Sequence, residues 1–272
     1  MLEKMYEFKS WLENSEKSNA TIEKYMRDVE LFLKFSGKEV EKETVRKFKE
    51  MLKEKYALSS VNSMISSVNT YLEFIGREEC KVKTLKMQKK IFIEEDKNLT
   101  KADYKNLLDI AQKNGNRRLY LLLQTICSTG IRISELEYIT VESLKNGYAE
   151  IELKGKSRVV LIPKQLSEKL LQYSKSKNIL TGCVFVTKNG KPLDRSNVWH
   201  QMKKLCVGAN VSEKKVFPHN LRHLFARTYY SSEKDIVRLA DILGHSNINT
   251  TRIYTADSRE ICCEQIEKLG LL

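Results

Sequence analysis

No proline occurs before Pro163, and across the first ninety residues apolar side chains recur at helical spacing in four runs separated by short polar breaks. A chain patterned this way closes a core by packing helical stripes together. Met5, Phe8 and Trp11 begin the first run. Ser18-Asn19-Ala20-Thr21 caps a second, whose Ile22, Tyr25, Met26, Val29, Phe32 and Leu33 form a stripe ending at Gly37. Val45 to Tyr56 gives a third, basic helix. Leu58 to Phe74 gives a fourth, with Val61, Met64, Ile65, Val68, Leu72 and Ile75 on one side and Gly76 as its stop. Facing outward are Lys24, Arg27, Ser59, Ser60, Asn62 and Ser63, short polar and basic groups able to meet phosphates or base edges. By these residues alone the segment is an anonymous helical bundle.

A lysine-rich break, CKVKTLKMQKKIFIEEDKN over residues 80–98, separates that bundle from the rest. It reads either as a linker lying along a phosphate backbone or as a solvated charge run. Thr100 then caps a new helix, and Arg118 to Cys127 predicts a buried one that delivers the chain to Gly130 and Arg132. Ala149 to Leu153 alternates like a strand, turns through Lys154-Gly155-Lys156-Ser157, and returns as Arg158 to Ile162. A short strand is expected over Cys183 to Val186, a turn over 187–190, and a capped helix from Asp194 or Ser196 through Leu205.

Charge bounds the partners. Among 272 residues, 48 Lys plus Arg against 35 Asp plus Glu leave a formal +13, which favours a polyanion, with nucleic acid first. Anionic membrane competes, but no run of eighteen apolar residues and no signal peptide occurs, so a soluble, cytoplasmic protein is expected. The six cysteines show no CxxC spacing and only four histidines are present, so neither a zinc site nor another cofactor is expected.

The stretch Phe217 to Tyr254, FPHNLRHLFARTYYSSEKDIVRLADILGHSNINTTRIY, concentrates the chemistry. Pro218 suits a first helical turn and puts His219 and Arg222 on one face. Ile236, Leu239, Ile242 and Leu243 recur at helical spacing, Gly244 stops that helix, and His245 follows in the turn. Ser246 or Asn247 caps a further short helix leading to Tyr254, nine residues after His245. A lone histidine or tyrosine is ordinarily packing; the arrangement is not ordinary. HxxR, a helix, LGH and a spaced tyrosine resemble the tyrosine recombinase (lambda integrase-like) family over about Leu99 to Tyr254, in its two-domain form.

Ser128-Thr129-Gly130-Ile131-Arg132-Ile133-Ser134-Glu135-Leu136 matches that family's TGxRxxEL box, so the resemblance implies Arg132 as the first catalytic arginine. It also implies a hairpin lysine, Lys154 by preference. The turn is one residue shorter than the family's usual KGxKxR form, which leaves Lys156 as the alternative. The implied catalytic set is Arg132, Lys154, His219, Arg222, His245 and the nucleophile Tyr254. Implied DNA contacts are Lys24, Arg27, Ser60, Asn62, Ser63, Lys156 and Arg158. The implied fold is mainly α with a small β-sheet: a SAM-like core-binding bundle (1–79), a basic linker (80–98) and an α+β catalytic domain (99–272), with no additional arm-binding domain ahead of the clamp. The tail, 257–272, reads as a helix whose Cys262, Ile266 and Leu269 stripe docks either on its own domain or on a neighbouring protomer. The implied activity is metal- and ATP-independent strand exchange between two DNA duplexes through a 3′-phosphotyrosyl bond and a Holliday junction, by a homotetramer on core sites. A type IB topoisomerase that reseals the same duplex, and an idle DNA-binding protein, are the alternatives.

Overall fold

The structure, a computed structural model, describes residues 2–37, 40–86, 97–153, 156–187, 189–254, 263 and 266–270. The chain divides into two compact units, Met1–Lys89 and Lys90–Leu272. Among the described residues no helix is long and apolar enough to cross a membrane.

The first unit is the expected four-helix bundle: α1 (Leu2–Asn14), α2 (Asn19–Ser36), α3 (Lys42–Lys55) and α4 (Leu58–Phe74). Each stripe supplies fully buried side chains, among them Phe8, Leu12, Val29, Phe32, Phe48, Leu52, Val61 and Ile65. Edge-on aromatic pairs, Phe8–Tyr71 and Phe32–Phe48, both with ring centroids 5.2 Å apart, tie α1 to α4 and α2 to α3. Residues 81–86, which the sequence reading assigned to the linker, lie on α4. The Asn69 Nδ2 donates to the Val82 carbonyl at 2.8 Å and its Oδ1 accepts from the Val82 amide at 3.1 Å. Asn62 does the same with Leu85, at 2.9 and 2.7 Å. The spacing explains the match, because seven residues of helix and three of extended chain both rise by roughly 10 Å. The remainder of the expected linker, 87–96, lies outside the described residues.

The second unit is helical around one hairpin. The Thr100 hydroxyl and the Asp103 carboxylate form a capping box that starts α5 (Lys101–Lys113). Next, α6 (Arg117–Thr129) buries Leu119, Leu121, Leu122, Leu123 and Ile126 and stops at Gly130, whose φ of 63° is left-handed. A 3₁₀ turn over Ile133–Tyr138 leads to α7 (Val141–Asn146), then to the antiparallel strands β1 (Tyr148–Leu153) and β2 (Lys156–Leu161), and to α8 (Lys164–Ser176). Ala149, Ile151 and Val160 are buried, while Val159 and Leu161 are exposed, as a one-sided hairpin requires. Among the described residues there follow α9 (Arg195–Ala209), α10 (Pro218–Glu233), α11 (Ile236–Leu243) and α12 (Ile248–Thr251), with a 3₁₀ turn ending at Tyr254.

Three expectations need correction. The pairing runs on to Leu153 with Lys156, leaving two residues between the strands where four were expected. The segment Cys183 to Val186 is not a strand but two isolated bridges, Thr140 with Cys183 and Val186 with Pro192, since no partner strand runs alongside it. Helices α7 and α8 were not anticipated; α7 starts from the Thr140 hydroxyl, which accepts from the Ser143 amide at 3.1 Å. Of the expected tail helix, only Cys263 and Ile266–Gly270 are described, so its docking lies outside the described residues.

Candidate active site

Phe217 is extended and Pro218 occupies the first turn of α10, so the helix presents His219, Arg222 and His223 towards one region. The segment from α11 to Tyr254 is packed against it: Ala226, Leu239, Leu243 and Tyr254 form one small core with Phe225, Tyr229 and Tyr230. Five of the six expected catalytic residues are thereby described, and they gather from three separate parts of the unit.

Arg222 is the hub. It is 1% exposed, yet its charge is compensated by carbonyls from two other elements. Its Nη1 donates to the Gly130 carbonyl at 2.5 Å, and its Nη2 to the Leu243 carbonyl at 2.7 Å. The same Nη2 lies 3.0 Å from His245 Nε2, and His245 Nδ1 lies 2.9 Å from the Thr251 hydroxyl. Arginine cannot accept, so Nε2 is the acceptor and Nδ1–H the donor, which fixes the tautomer. Both ring nitrogens of His245 are therefore engaged in this state. Burial, then the charges of Arg132 and Arg158, pull the Arg222 guanidinium down to about 10, still cationic at neutral pH.

Arg132 reaches the same place from the turn after α6. Its backbone amide and Nη1 both donate to Glu135, each at 2.8 Å, and its Nη2 approaches the Gly244 carbonyl at 3.5 Å. Glu135 is 2% exposed and takes a second cation from β2, since Arg158 Nη2 donates to it while Arg158 Nη1 donates to the Ile242 carbonyl at 2.9 Å. Burial works to raise that carboxyl, but hydrogen bonds from Arg158 and Arg132 hold it below the usual carboxylate range. One carboxylate thus orients two arginines.

Tyr254 is 4% exposed. Its ring stacks beside His245 at a centroid separation of 6.2 Å and meets His223 edge-on at 4.9 Å, while His223 meets His219 at 4.3 Å. Burial pushes the Tyr254 hydroxyl above the ordinary tyrosine range; the charge and hydrogen bonding of Arg222, and the charge of Arg132, draw it part of the way back. His219 is exposed and lines a cleft with Arg132, Arg222, Arg195, Trp199 and His200. Partial enclosure there, then Arg222, Arg132 and Arg195, keep its ring below the usual imidazole value. His245 is held down to about 4 by burial and by the charges of Arg222, Arg132, Arg158 and His219. A neutral imidazole is a competent proton acceptor, and the cations around it are suited to gathering a phosphodiester.

Lys154 lies outside the described residues. Lys156 is placed only by its backbone, at the start of β2. Among the expected DNA contacts, Arg158 is instead turned inward onto Glu135 and Ile242, with its side chain 11% exposed. Asn62 is likewise committed to the Leu85 backbone. Lys24 is half-buried: it donates to Asp28 Oδ2 on its own helix at 2.6 Å and bridges α2 to α4 through the Ser67 hydroxyl at 3.0 Å and the Ser63 carbonyl at 3.2 Å. Arg27, Ser60 and Ser63 remain exposed. Sequence reading gave no role to Glu135, Thr251, His223 or the α9 residues of the cleft. The four-residue spacing from His219 to His223 was the available signal for His223.

Residues 97–260 match the phage integrase family, and residues 6–79 match the phage integrase N-terminal SAM-like domain. The chain belongs to the phage integrase family of tyrosine recombinases. Similar curated proteins include tyrosine recombinase XerA of Pyrococcus horikoshii, 30% identical over 98% of this chain and 93% of that one. XerA of Pyrococcus furiosus is 29% identical over 99% and 95%. Among solved structures, a lambda integrase(75–356) dimer bound to a COC′ core site shares the fold at a TM-score of 0.73, with 17% identity and coverage of 95% and 96%.

Proposed function

We propose that this recombinase breaks and rejoins DNA through Tyr254, with Arg132, Arg222, His219, His245 and Lys154 as the groups that make the attack possible. The observation that carries the reading is the mutual packing of Tyr254, three histidines and the two arginines, from the end of α6, from α10 and from the segment after α11, beside a cleft that Arg132, His219 and Arg222 line.

The Tyr254 hydroxyl oxygen attacks the scissile phosphorus, its proton passing to His219, and the P–O5′ bond breaks. Charge developing on the non-bridging oxygens is met by Arg132 and Arg222, which stay cationic throughout. The departing 5′ oxygen takes a proton from Lys154, or from Lys156 in its place. The product is a 3′-phosphotyrosyl bond that conserves the energy of the broken one. A 5′ hydroxyl from a second duplex can therefore reverse the attack, and two such exchanges pass through a Holliday junction. Both nitrogens of His245 are occupied before DNA arrives, so its donation to the phosphate requires it to exchange the contact with Arg222 or Thr251 for one with the substrate. The same neighbours give the buried tyrosine its electrostatic help: the arginines that draw its hydroxyl down are those that would hold the phosphate.

Double-stranded DNA carrying core recombination sites is the proposed partner, and a homotetramer of this chain on that DNA the working assembly, in a cytoplasmic protein. The lambda integrase tetramer bound to a Holliday junction, similar in fold at a TM-score of 0.73, supports that reading. The test is to incubate the full chain with nicked duplex carrying its site, sought as inverted repeats beside its gene, and to look for a detergent-resistant complex and then for a joined second duplex. Wild type is expected to form both in EDTA, because arginine and lysine supply the positive charge. Tyr254→Phe is expected to bind within a few fold and to form neither. Covalent complex from Tyr254→Phe, or strict dependence on a divalent ion, would overturn the assignment.

A further inference from the structure

His223 is a half-buried imidazole that the chemistry above does not use. It points into the gap between His219 and Tyr254, touching one ring at 4.3 Å and the other at 4.9 Å. Its Nε2 is buried without a hydrogen-bond partner, whereas both terminal nitrogens of Arg222 and both ring nitrogens of His245 are engaged. An unpaired buried nitrogen is a cost that a phenyl ring of similar shape would avoid, so packing alone does not account for a histidine here.

We propose that His223 is a positioning residue for Tyr254, its ring seating the nucleophile and its unpaired Nε2 serving as the acceptor that the tyrosine hydroxyl engages on its way to the phosphate. The inference rests on Tyr254 being the nucleophile. His219, Arg222 and Arg227 face this ring from α10, His245 from the turn after α11, and Tyr254 from the last 3₁₀ turn. Burial, then the charges of His219, Arg227, Arg222 and His245, push the imidazole down to about 3, which favours the neutral ring as an acceptor. Such a contact would guide the hydroxyl from its buried resting place, where it is 4% exposed, without adding a competing cation beside His219.

His223→Phe and His223→Gln separate shape from nitrogen. The full-length variants are compared with wild type for melting temperature, for affinity to the nicked site and for the rate of covalent complex formation at saturating DNA. His223→Phe is expected to melt at or above the wild-type temperature and to bind equally well, yet to cleave about 10- to 100-fold more slowly, as a misplaced nucleophile does. His223→Gln, which keeps an acceptor, is expected to recover part of that loss. Wild-type cleavage by His223→Phe would reduce His223 to packing, and a glutamine variant no faster than phenylalanine would remove the hydrogen bond. Tyr254→Phe runs alongside: if it still forms covalent complex, the nucleophile assignment itself has failed, irrespective of His223.

Discussion

At the residue scale, positive charges at this site are held in place mainly by oxygen atoms of the protein. Glu135 is the clearest case, since it accepts from the amide and guanidinium of Arg132 and from the guanidinium of Arg158. The Arg158 pair is the buried half; Arg132 is 39% exposed, and solvent screens its share. Glu135→Gln leaves Arg158 facing a neutral amide in a buried setting, where breaking a pair costs about 3 kcal/mol. The expected outcome is a lower melting temperature of the catalytic unit and slower cleavage from a loosened Arg132, with DNA affinity little changed. Calorimetry and single-turnover cleavage check both. Equal stability would show that the carboxylate is incidental. Much at this scale was legible beforehand as candidates: Arg132, His219, Arg222, His245 and Tyr254, the proposed reactive set, stand out because their spacing is local and repeats a known pattern. The inward turn of Arg158 was not legible, because a basic residue after a hairpin reads the same whether it faces phosphate or a distant carboxylate.

At the element scale, the end of α6 meets α10 at a glycine. Gly130 ends α6 in the left-handed region, its carbonyl receives Arg222, and a Cβ built on it would come within 2.6 and 2.8 Å of the Phe225 ring atoms Cδ1 and Cε1. Gly130→Ala therefore meets both a conformational penalty and a ring three residues beyond Arg222 on the same helix. A left-handed non-glycine residue costs about 1–2 kcal/mol before any displacement of the ring. The variant is expected to melt roughly 4–8 °C lower and to cleave more slowly, because α10 must shift with Phe225 and carry Arg222 with it. An unchanged melting temperature would mean that the ring moves aside freely. Helix boundaries in the first unit were readable to within a few residues from stripes, caps and glycine stops. In the second unit α7 and α8 escaped notice, α7 being only six residues long and α8 starting after Pro163 without a side-chain cap, and the bridges at Cys183 and Val186 mimicked a strand that has no neighbour.

At the scale of the whole molecule, the formal +13 lies mostly in the second unit, whose 30 basic residues exceed its 20 acidic ones by ten against 18 and 15 in the first, so the proposed binding to DNA should be strongly electrostatic. If the chain neutralises about six phosphates, affinity should fall by about 10³ between 50 and 200 mM salt. Titration by gel shift or anisotropy across that range measures the slope, and a flat response would argue against a clamp that tracks the backbone. Residues close together along the chain were enough for the two-part organisation, the helical character of the first ninety residues and the candidate reactive side chains, because caps, stripes and short motifs are encoded by neighbours. Only the tertiary structure decided that Asn62 and Asn69 secure residues 82–85 to α4, that Glu135 gathers Arg132 and Arg158, and that Arg222 spends its donors on Gly130, Leu243 and His245. Apart from Arg132 with Glu135, which are three residues apart, those are pairings between residues 13 to 92 positions apart, chosen by which buried polar atoms are left to satisfy once the helices have packed, and no local pattern specifies that choice.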